Sequence, residues 1–395
     1  MIRATLVIIG LSLMAACSRQ DPAAPAFEPL PLLPQPPPVA SASQITPPRL
    51  RPVLGPLVAR STDAIEAIRT FDQRFMQTEP DRYQDFLASL NDTRGAYLSG
   101  NHYGGLRSRL MWAIRNGEPY GEGVTDESQS AYARGRRIVK RYLQWAKANS
   151  FNIPPHNNTG LADVEALYTL EGDADALNHI HVSAQAATND PYGYLKMQNQ
   201  GSDARQIAIA LQAFKAAHRL AIPYAPNPAT RNGFDASPGS WHGAGRRQIE
   251  WIRQYVVQPD GSIPSRAHNN DEAYLFNAML ATQLLEWCAT VDWDPALLDL
   301  AQQIIDHLIA AVKPGWSTLG YLSSSGSPAT DLAGFYVWPS LALWQETGDQ
   351  KYHDFAVSSL QAANTAYIQQ MKQWNQVFST LTEGAEALLA GEPWR

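Results

Sequence analysis

The sequence predicts an all-α protein built from helical hairpins that stack on one another. Three observations carry this. Apolar residues recur at i, i+3 and i+4 almost throughout, and no run of alternating β-branched residues reaches strand length. The periodic segments are separated by Gly-, Pro- and Asn-rich stretches that punctuate regular structure. Three segments also share one pattern: a helix, a short turn with a capping residue, and a second helix.

The first stripe is Ala64, Ile65, Ala67, Ile68 and Phe71. The second is Leu106, Leu110, Ala113 and Ile114, and the third Tyr132, Ile138, Tyr142, Leu143 and Ala146. Later stripes cover 207–220, 249–257, 274–289, 296–312, 335–344, 352–371 and 378–389. The hairpins turn at Glu171-Gly172-Asp173, at Val291-Asp292-Trp293-Asp294-Pro295 and at Thr347-Gly348-Asp349. Glycine takes the left-handed position that ends a helix, and aspartate beside it caps the next. A hairpin cannot bury its apolar face alone, so such units must stack.

The N-terminus reads separately. Arg3 precedes an apolar run from Leu6 to Met14, and Ala15-Ala16-Cys17 ends it. That run is too short to span a bilayer and has the form of a secretory signal with a small-residue cleavage site. It resembles the lipobox of bacterial lipoproteins, which implies that residues 1–16 are removed and Cys17 is acylated. Ser18 in place of aspartate implies, within that group, the outer membrane. Twelve prolines between Pro22 and Pro56 exclude helix and sheet from residues 17–58, a semi-rigid spacer. Residues 59–395 are expected to form one domain, with no second linker in the composition.

Net charge is −6 with 17% charged residues, which leaves no basic footprint for nucleic acid. Of two cysteines, Cys17 belongs to the lipobox and Cys288 lies on an apolar helix as a core residue, so no intramolecular disulfide is expected. No HExxH, GxSxG, P-loop, GxGxxG or CxxC motif is present.

The hairpin pattern of helix, (T/E)-G-D and helix resembles the (α/α) toroids of six-hairpin carbohydrate-active enzymes. The resemblance implies a closed toroid whose long loops carry the site. A helical solenoid or irregular bundle is the alternative, though the 34-residue period of tetratricopeptide repeats is absent.

Four loops hold residues that such chemistry needs. The first contains His102 and Tyr103. The second contains Asp126 and Glu127, where Glu127-Ser128-Gln129 resembles the E-G-Q of family 8 glycoside hydrolases. A carboxylic acid there would protonate a glycosidic oxygen; equally, the pair would suit a helix N-terminus. The third, 237–247, contains Trp241, His242 and Arg246. The fourth runs from Asp260 to Tyr274 and packs Arg266, His268, Asn270, Asp271, Glu272 and Tyr274 together. Asn270-Asp271-Glu272-Ala273 resembles the N-D-D-A of family 10 pectate lyases, which implies calcium and Asp271 as a metal ligand. The third and fourth loops bracket one helix, so their ends lie at opposite rims unless one loop folds back. His-Asn-Asn occurs at His156-Asn157-Asn158 and again at 268–270.

The expected catalytic groups are therefore Glu127, Arg266, His268, Asp271, Glu272 and Tyr274. The expected substrate contacts are His102, Tyr103, His156, Asn157, Trp241, His242 and Arg246. Trp241, Tyr103, Trp316 and Tyr321 offer flat faces for a pyranose. Arg134, Arg136, Arg137, Lys140 and Arg141 form a basic run on one helix, a solvated face or a wall for acidic sugars. The expected protein is a monomeric envelope lipoprotein that binds and cleaves a polysaccharide by hydrolysis or elimination. A non-catalytic helical scaffold of an envelope complex is the alternative. If the lipobox is used, Cys17→Ser moves the protein from the membrane to the soluble fraction and abolishes labelling by a palmitate analogue; unlabelled wild type in the soluble fraction refutes the anchor.

Overall fold

The computed structural model describes residues 62–90, 105–151, 160–189, 204–226, 239–265, 268–368 and 371–378. Among them are twelve α-helices, one 3-10 turn at Thr330–Leu332, and no strand beyond an isolated bridge between Ala273 and Leu322. We number the helices α1 (Thr62–Ala88), α2 (Leu106–Asn116), α3 (Ala131–Ala148), α4 (Leu161–Glu171), α5 (Ala174–Asn189) and α6 (Ala204–Arg219). The second half comprises α7 (Trp241–Tyr255), α8 (Tyr274–Thr290), α9 (Pro295–Ala310), α10 (Gly334–Thr347), α11 (Gln350–Asn364) and α12 (Met371–Phe378). No described helix is long and apolar enough to cross a membrane.

The three hairpin turns form as their residues dictate. Gly172 and Gly348 adopt φ of 65° and 72° and end α4 and α10. Asp173, Asp294 and Asp349 then cap α5, α9 and α11 through amides of Ala176, Ala296 and Lys351 at 2.8, 2.9 and 3.1 Å. Each satisfies a donor the helix cannot satisfy itself.

Helices α2, α4, α6, α8, α10 and α12 form an inner set, each joined to an outer partner. Helices α8 and α10 are buried on nearly every face, whereas outer helices α3, α7 and α9 bury one stripe. The inner helices α6 and α8 run parallel and in register: Arg205 lies over Phe276 near their starts, and Lys215 meets Gln283 and Glu286 about three turns on. The ring closes where the two ends of the described chain meet. Phe75 of α1 stacks on Trp112 of α2 at 4.5 Å, and Trp374 of α12 lies 5.2 Å from Phe75. Arg109 of α2 sits over the Trp374 ring at 4.3 Å and donates to Glu79 of α1 at 2.7 Å. Asn364 of α11 donates to Ala67 O of α1 at 2.7 Å. The result is an (α/α) toroid, as the hairpins imply.

Several boundaries differ from the sequence reading. Helix α1 continues past Phe71 to Ala88 with Pro80 inside it. The stripe over 352–371 divides into α11 and α12. The segment expected over 378–389 lies outside the described residues apart from Phe378. The third expected loop is largely helix: Ser240 accepts from Gly243 N at 3.0 Å and starts α7 at Trp241. Glycine is a poor helix former, so Gly243 and Gly245 disguise this start. Gly245 is needed because Trp287 packs where its Cβ would be, at 2.0 Å.

The Glu79–Arg109 pair is buried, and Arg134 of α3 adds a second contact to Glu79 at 2.8 Å. Removing the carboxylate alone strands two guanidinium groups. We expect Glu79→Ala to cost about 3–5 kcal/mol in urea denaturation, and Glu79→Leu combined with Arg109→Met to cost clearly less. Equal costs for the two variants refute a role for the stranded charges.

Candidate functional site

The inner helices begin at one mouth of the ring, and the connections 256–273 and 311–333 meet there. In the first, Gly261 has φ of 84° and its Cβ would meet Gln303 O of α9 at 2.1 Å. Asn269 and Asn270 adopt left-handed φ of 57° and 69°, a conformation that carries strain in a residue with a side chain. They carry the turn that sets His268 against Phe276 and Tyr321, with ring centroids 6.4 and 5.9 Å away.

Glu272 ties this mouth together. Its carboxylate accepts from Ile263 N at 2.9 Å, Asn277 Nδ2 at 3.2 Å and His307 Nε2 of α9 at 2.7 Å. Its carbonyl accepts from Ser323 N at 3.0 Å. These bonds make Glu272 a structural hub of the rim. Asp271 accepts from Ser323 Oγ at 3.1 Å and Ser324 Oγ at 2.5 Å. Among the described residues no group of three or more His, Cys, Asp or Glu is placed to hold a metal ion. Tyr274 is buried at the start of α8; burial, then Glu272 and Asp271, push its phenol above the ordinary range. It keeps its proton at neutral pH and suits an acid better than the base that elimination requires.

The other expected residues sit elsewhere. Glu127 lies in the 117–130 connection, which leaves the inner ring at its opposite end, and pairs with Arg137 at 2.8 Å. Asp126 accepts from Ser128 N and Oγ at 3.0 and 2.6 Å. Neither caps α3; Ser130 and Glu118 do, through Ala133 N and Ala131 N. Trp241 is buried and donates to Ile222 O at 2.9 Å, so its face is not open to a sugar. His242 and Arg246 stand on α7 against Asp292 at 3.3 and 3.8 Å, beside the α8–α9 turn at that same opposite end. The second and third loops therefore do not converge with the fourth. The basic run on α3 is neither a bare solvated face nor a wall: Arg134 pairs with Glu79, Arg136 with Glu171, Arg137 with Glu127, and Lys140 with Glu171 and Asp173. Cys17, His102, Tyr103, His156, Asn157 and Arg266 lie outside the described residues.

A cluster that the sequence reading missed occupies the ring axis. Arg107 of α2, Glu165 of α4, Lys215 and Arg219 of α6 and Glu286 of α8 meet there. Lys215 bonds Glu286 and also Gln283 Oε1, the latter at 3.0 Å. Arg107 lies 3.9 Å from Glu286, and Arg219 lies 3.2 Å from Glu165. Burial pushes the Glu286 carboxyl up, but Lys215, then Arg107 and Arg219, outweigh this and hold it below its ordinary range. Side-chain exposure rises from 3% at Lys215 and 8% at Glu165 through 11% at Glu286 and 18% at Arg219 to 27% at Arg107. Arg107 is thus the most solvent-exposed member of the cluster.

The mouth is stepped. The second residue of α2 meets the thirteenth of α8, and the fifth of α4 meets the sixteenth of α6. Both pairings set the shorter helices back by about eleven residues, roughly 15 Å along the axis before side-chain reach is allowed for. Helices α2 and α4 start level because Asp163 of α4 accepts the first amides of α2, from Gly105, Leu106 and Arg107, the last two at 2.9 Å. The ion cluster forms the floor of this step.

No family model and no curated protein matches the chain. Similar solved structures include the Lin0763 protein from Listeria innocua, at 13% identity and TM-score 0.48 over 75% of this chain and 85% of that one. A sugar epimerase from a ruminal bacterium shows 12% identity and TM-score 0.44 over 73% and 87%. An unsaturated glucuronyl hydrolase of Bacillus sp. GL1, responsible for degradation of glycosaminoglycan, shows 12% identity and TM-score 0.47 over 78% and 96%. The ring stands on its own helix contacts and not on these likenesses.

The Glu272–His307 pair gives the rim a pH dependence. Its hydrogen bond, then the charges of Glu272 and Asp260, raise the imidazole above its ordinary value against the opposing effect of burial. A raised native value contributes stability that is fully present below the unfolded value of about 6.5 and is lost as pH rises through the native one. The stability difference between wild type and His307→Gln, measured in urea, is therefore expected to be larger at pH 6 than at pH 9. A difference that is flat or grows with pH refutes the charged pair.

Proposed function

We propose that this protein is an envelope lipoprotein, held by acylated Cys17 and a proline-rich spacer, whose toroid binds and cleaves a polysaccharide. The observation that carries the reading is the convergence of two carboxylates and three cations from four inner helices on the floor of the stepped mouth. Burying ions costs several kcal/mol each, so such a group in an otherwise apolar ring wall marks a candidate reaction centre. Glycoside cleavage calls for a carboxylate held ionised beside the scissile bond. Glu286 has that character, since Lys215 and the two arginines keep it charged. Glu165 supplies the second carboxylate. His268, Asp271 and Tyr274 lie at the rim, where a chain entering the mouth would pass, and Tyr274 keeps a proton it can donate. This replaces Glu127 and Glu272 as the carboxylates of choice.

The test is a panel of neutral and acidic polysaccharides, with reducing ends and the ultraviolet absorbance of a new C4–C5 double bond followed together. Wild type is expected to cleave at least one polymer. Glu286→Gln is expected to lose about a hundredfold or more in rate, with folding checked by circular dichroism, while the exposed Glu250→Gln keeps its rate. Reducing ends without absorbance mark hydrolysis, and absorbance marks elimination. If wild type neither binds nor cleaves any polymer, the reading fails and a scaffold takes its place.

A further inference from the structure

The end of the ring opposite the mouth carries an aromatic side chain with a fixed polar fringe. In the α8–α9 turn Val291 packs against the core, Asp294 caps α9 and Pro295 begins it. Trp293 has no such duty. Of the described tryptophans it alone is mostly exposed, at 55%, and among the described residues it meets no other ring and no hydrogen-bond partner. A single exposed apolar side chain is ordinary on a protein surface; the fringe sets this one apart. Asp292 directly precedes it, so carboxylate and indole leave the chain at Cα atoms about 3.8 Å apart. Asp292 is held from α7: His242 Nε2 donates to its Oδ2 at 3.3 Å, and Arg246 Nε lies 3.8 Å from the same oxygen. Arg246 is anchored in turn by Asp294 at 2.7 Å. His218 of α6, itself exposed, stands beside His242 with ring centroids 5.4 Å apart. This brace leaves groups over. Asp292 spends only Oδ2 and His242 only Nε2, and their side chains are 40% and 39% exposed, so Oδ1 and Nδ1 face solvent.

Indole and fringe together select the occupant. A pyranose has an apolar C–H face, which suits a flat aromatic ring, and hydroxyls around its edge that both donate and accept. A protein hot spot would call for a surround that excludes water, whereas both chain neighbours of Trp293 are aspartates. The same two carboxylates oppose an anionic lipid surface. We propose that Trp293 stacks on a sugar ring whose hydroxyls bond Asp292 and His242, so that the base of the toroid holds a polysaccharide at a second site. The site opens at the opposite end from the mouth, so the segment held here need not be the segment at the axial cluster. The inference goes beyond the cleavage reading, since holding a chain requires no bond to break.

The experiment combines two measurements on the full-length protein in detergent, with cellohexaose, maltohexaose, chitohexaose and hexagalacturonate as probes. One is calorimetric titration. The other is oxidation of Trp293 by N-bromosuccinimide, followed by peptide mass spectrometry, which reads this site whatever binds in the mouth. At least one hexasaccharide is expected to bind and to slow Trp293 oxidation about fivefold or more. Trp293→Ala is expected to weaken that sugar at this site about tenfold and Asp292→Ala about fivefold, with folding checked by circular dichroism, while Trp293→Tyr keeps an aromatic face and stays within about threefold. Trp293 oxidation unchanged by every sugar, or affinity within about twofold of wild type in Trp293→Ala or Asp292→Ala, overturns the inference and leaves the cleavage reading intact. Protection by phosphatidylglycerol vesicles or by self-association, with none from sugars, also overturns it. Sugar protection of Trp293 with no polymer cleaved leaves the site standing and removes the cleavage reading.

Discussion

The ring depends on one seam. A toroid of hairpins buries its inner helices only if the last unit returns to the first, and here the closing contacts come from chain segments almost three hundred residues apart. Arg109 is the joint. Its guanidinium is fully buried between the Glu79 carboxylate and the Trp374 face, with a further bond to Gly105 O at 2.9 Å. A charge so placed is expensive to desolvate and depends on these partners, the more so because its Nη2 is buried with no acceptor. The aromatic set around it, Phe71, Phe75, Trp112, Trp374 and Phe378, excludes water and makes the match worth more.

Closure explains the axial cluster. The α2 helix must reach both α12 at the seam and the ring centre, and Asp163 holds its start level with α4. Arg107 and Glu165 are thereby carried down to meet residues late in α6 and α8. Had all inner helices started together, Arg107 would face the first turn of α8 and Glu286 would lack it. The step and the ion cluster are thus one consequence of helix length and capping. Strain and hydrogen-bond commitment divide the mouth into parts with different duties: Glu272 with His307 braces the rim, the left-handed Asn269-Asn270 turn presents His268, and the floor carries the charges.

Much of the fold was legible in the sequence. The turns at Gly172-Asp173 and Gly348-Asp349 follow from glycine's access to positive φ and from aspartate capping, both local effects. Periodicity located the buried α8 and α10. It misplaced the start of α7, because Gly243 and Gly245 look like loop residues until Trp287 is seen packed against Gly245. The density of polar residues from 260 to 274 suggests chemistry, and in the structure Glu272 also serves the backbone there, accepting from Ile263 N while its own amide donates to Ser323 Oγ, since a loop spanning helix ends must satisfy its buried amides.

Local chemistry, by itself, determined the helical class and the hairpin turns. These depend on residues within a few positions of one another. Tertiary structure alone decided the ring closure, the step between inner helices and the axial cluster. Lys215 and Arg219, four residues apart, share one face of α6, but nothing in the spacing of Arg107, Glu165 and Glu286 marks them as neighbours of that pair or of one another. They meet only because four helices from across the chain point them at one axis, and that is a property of packing, which no local pattern encodes.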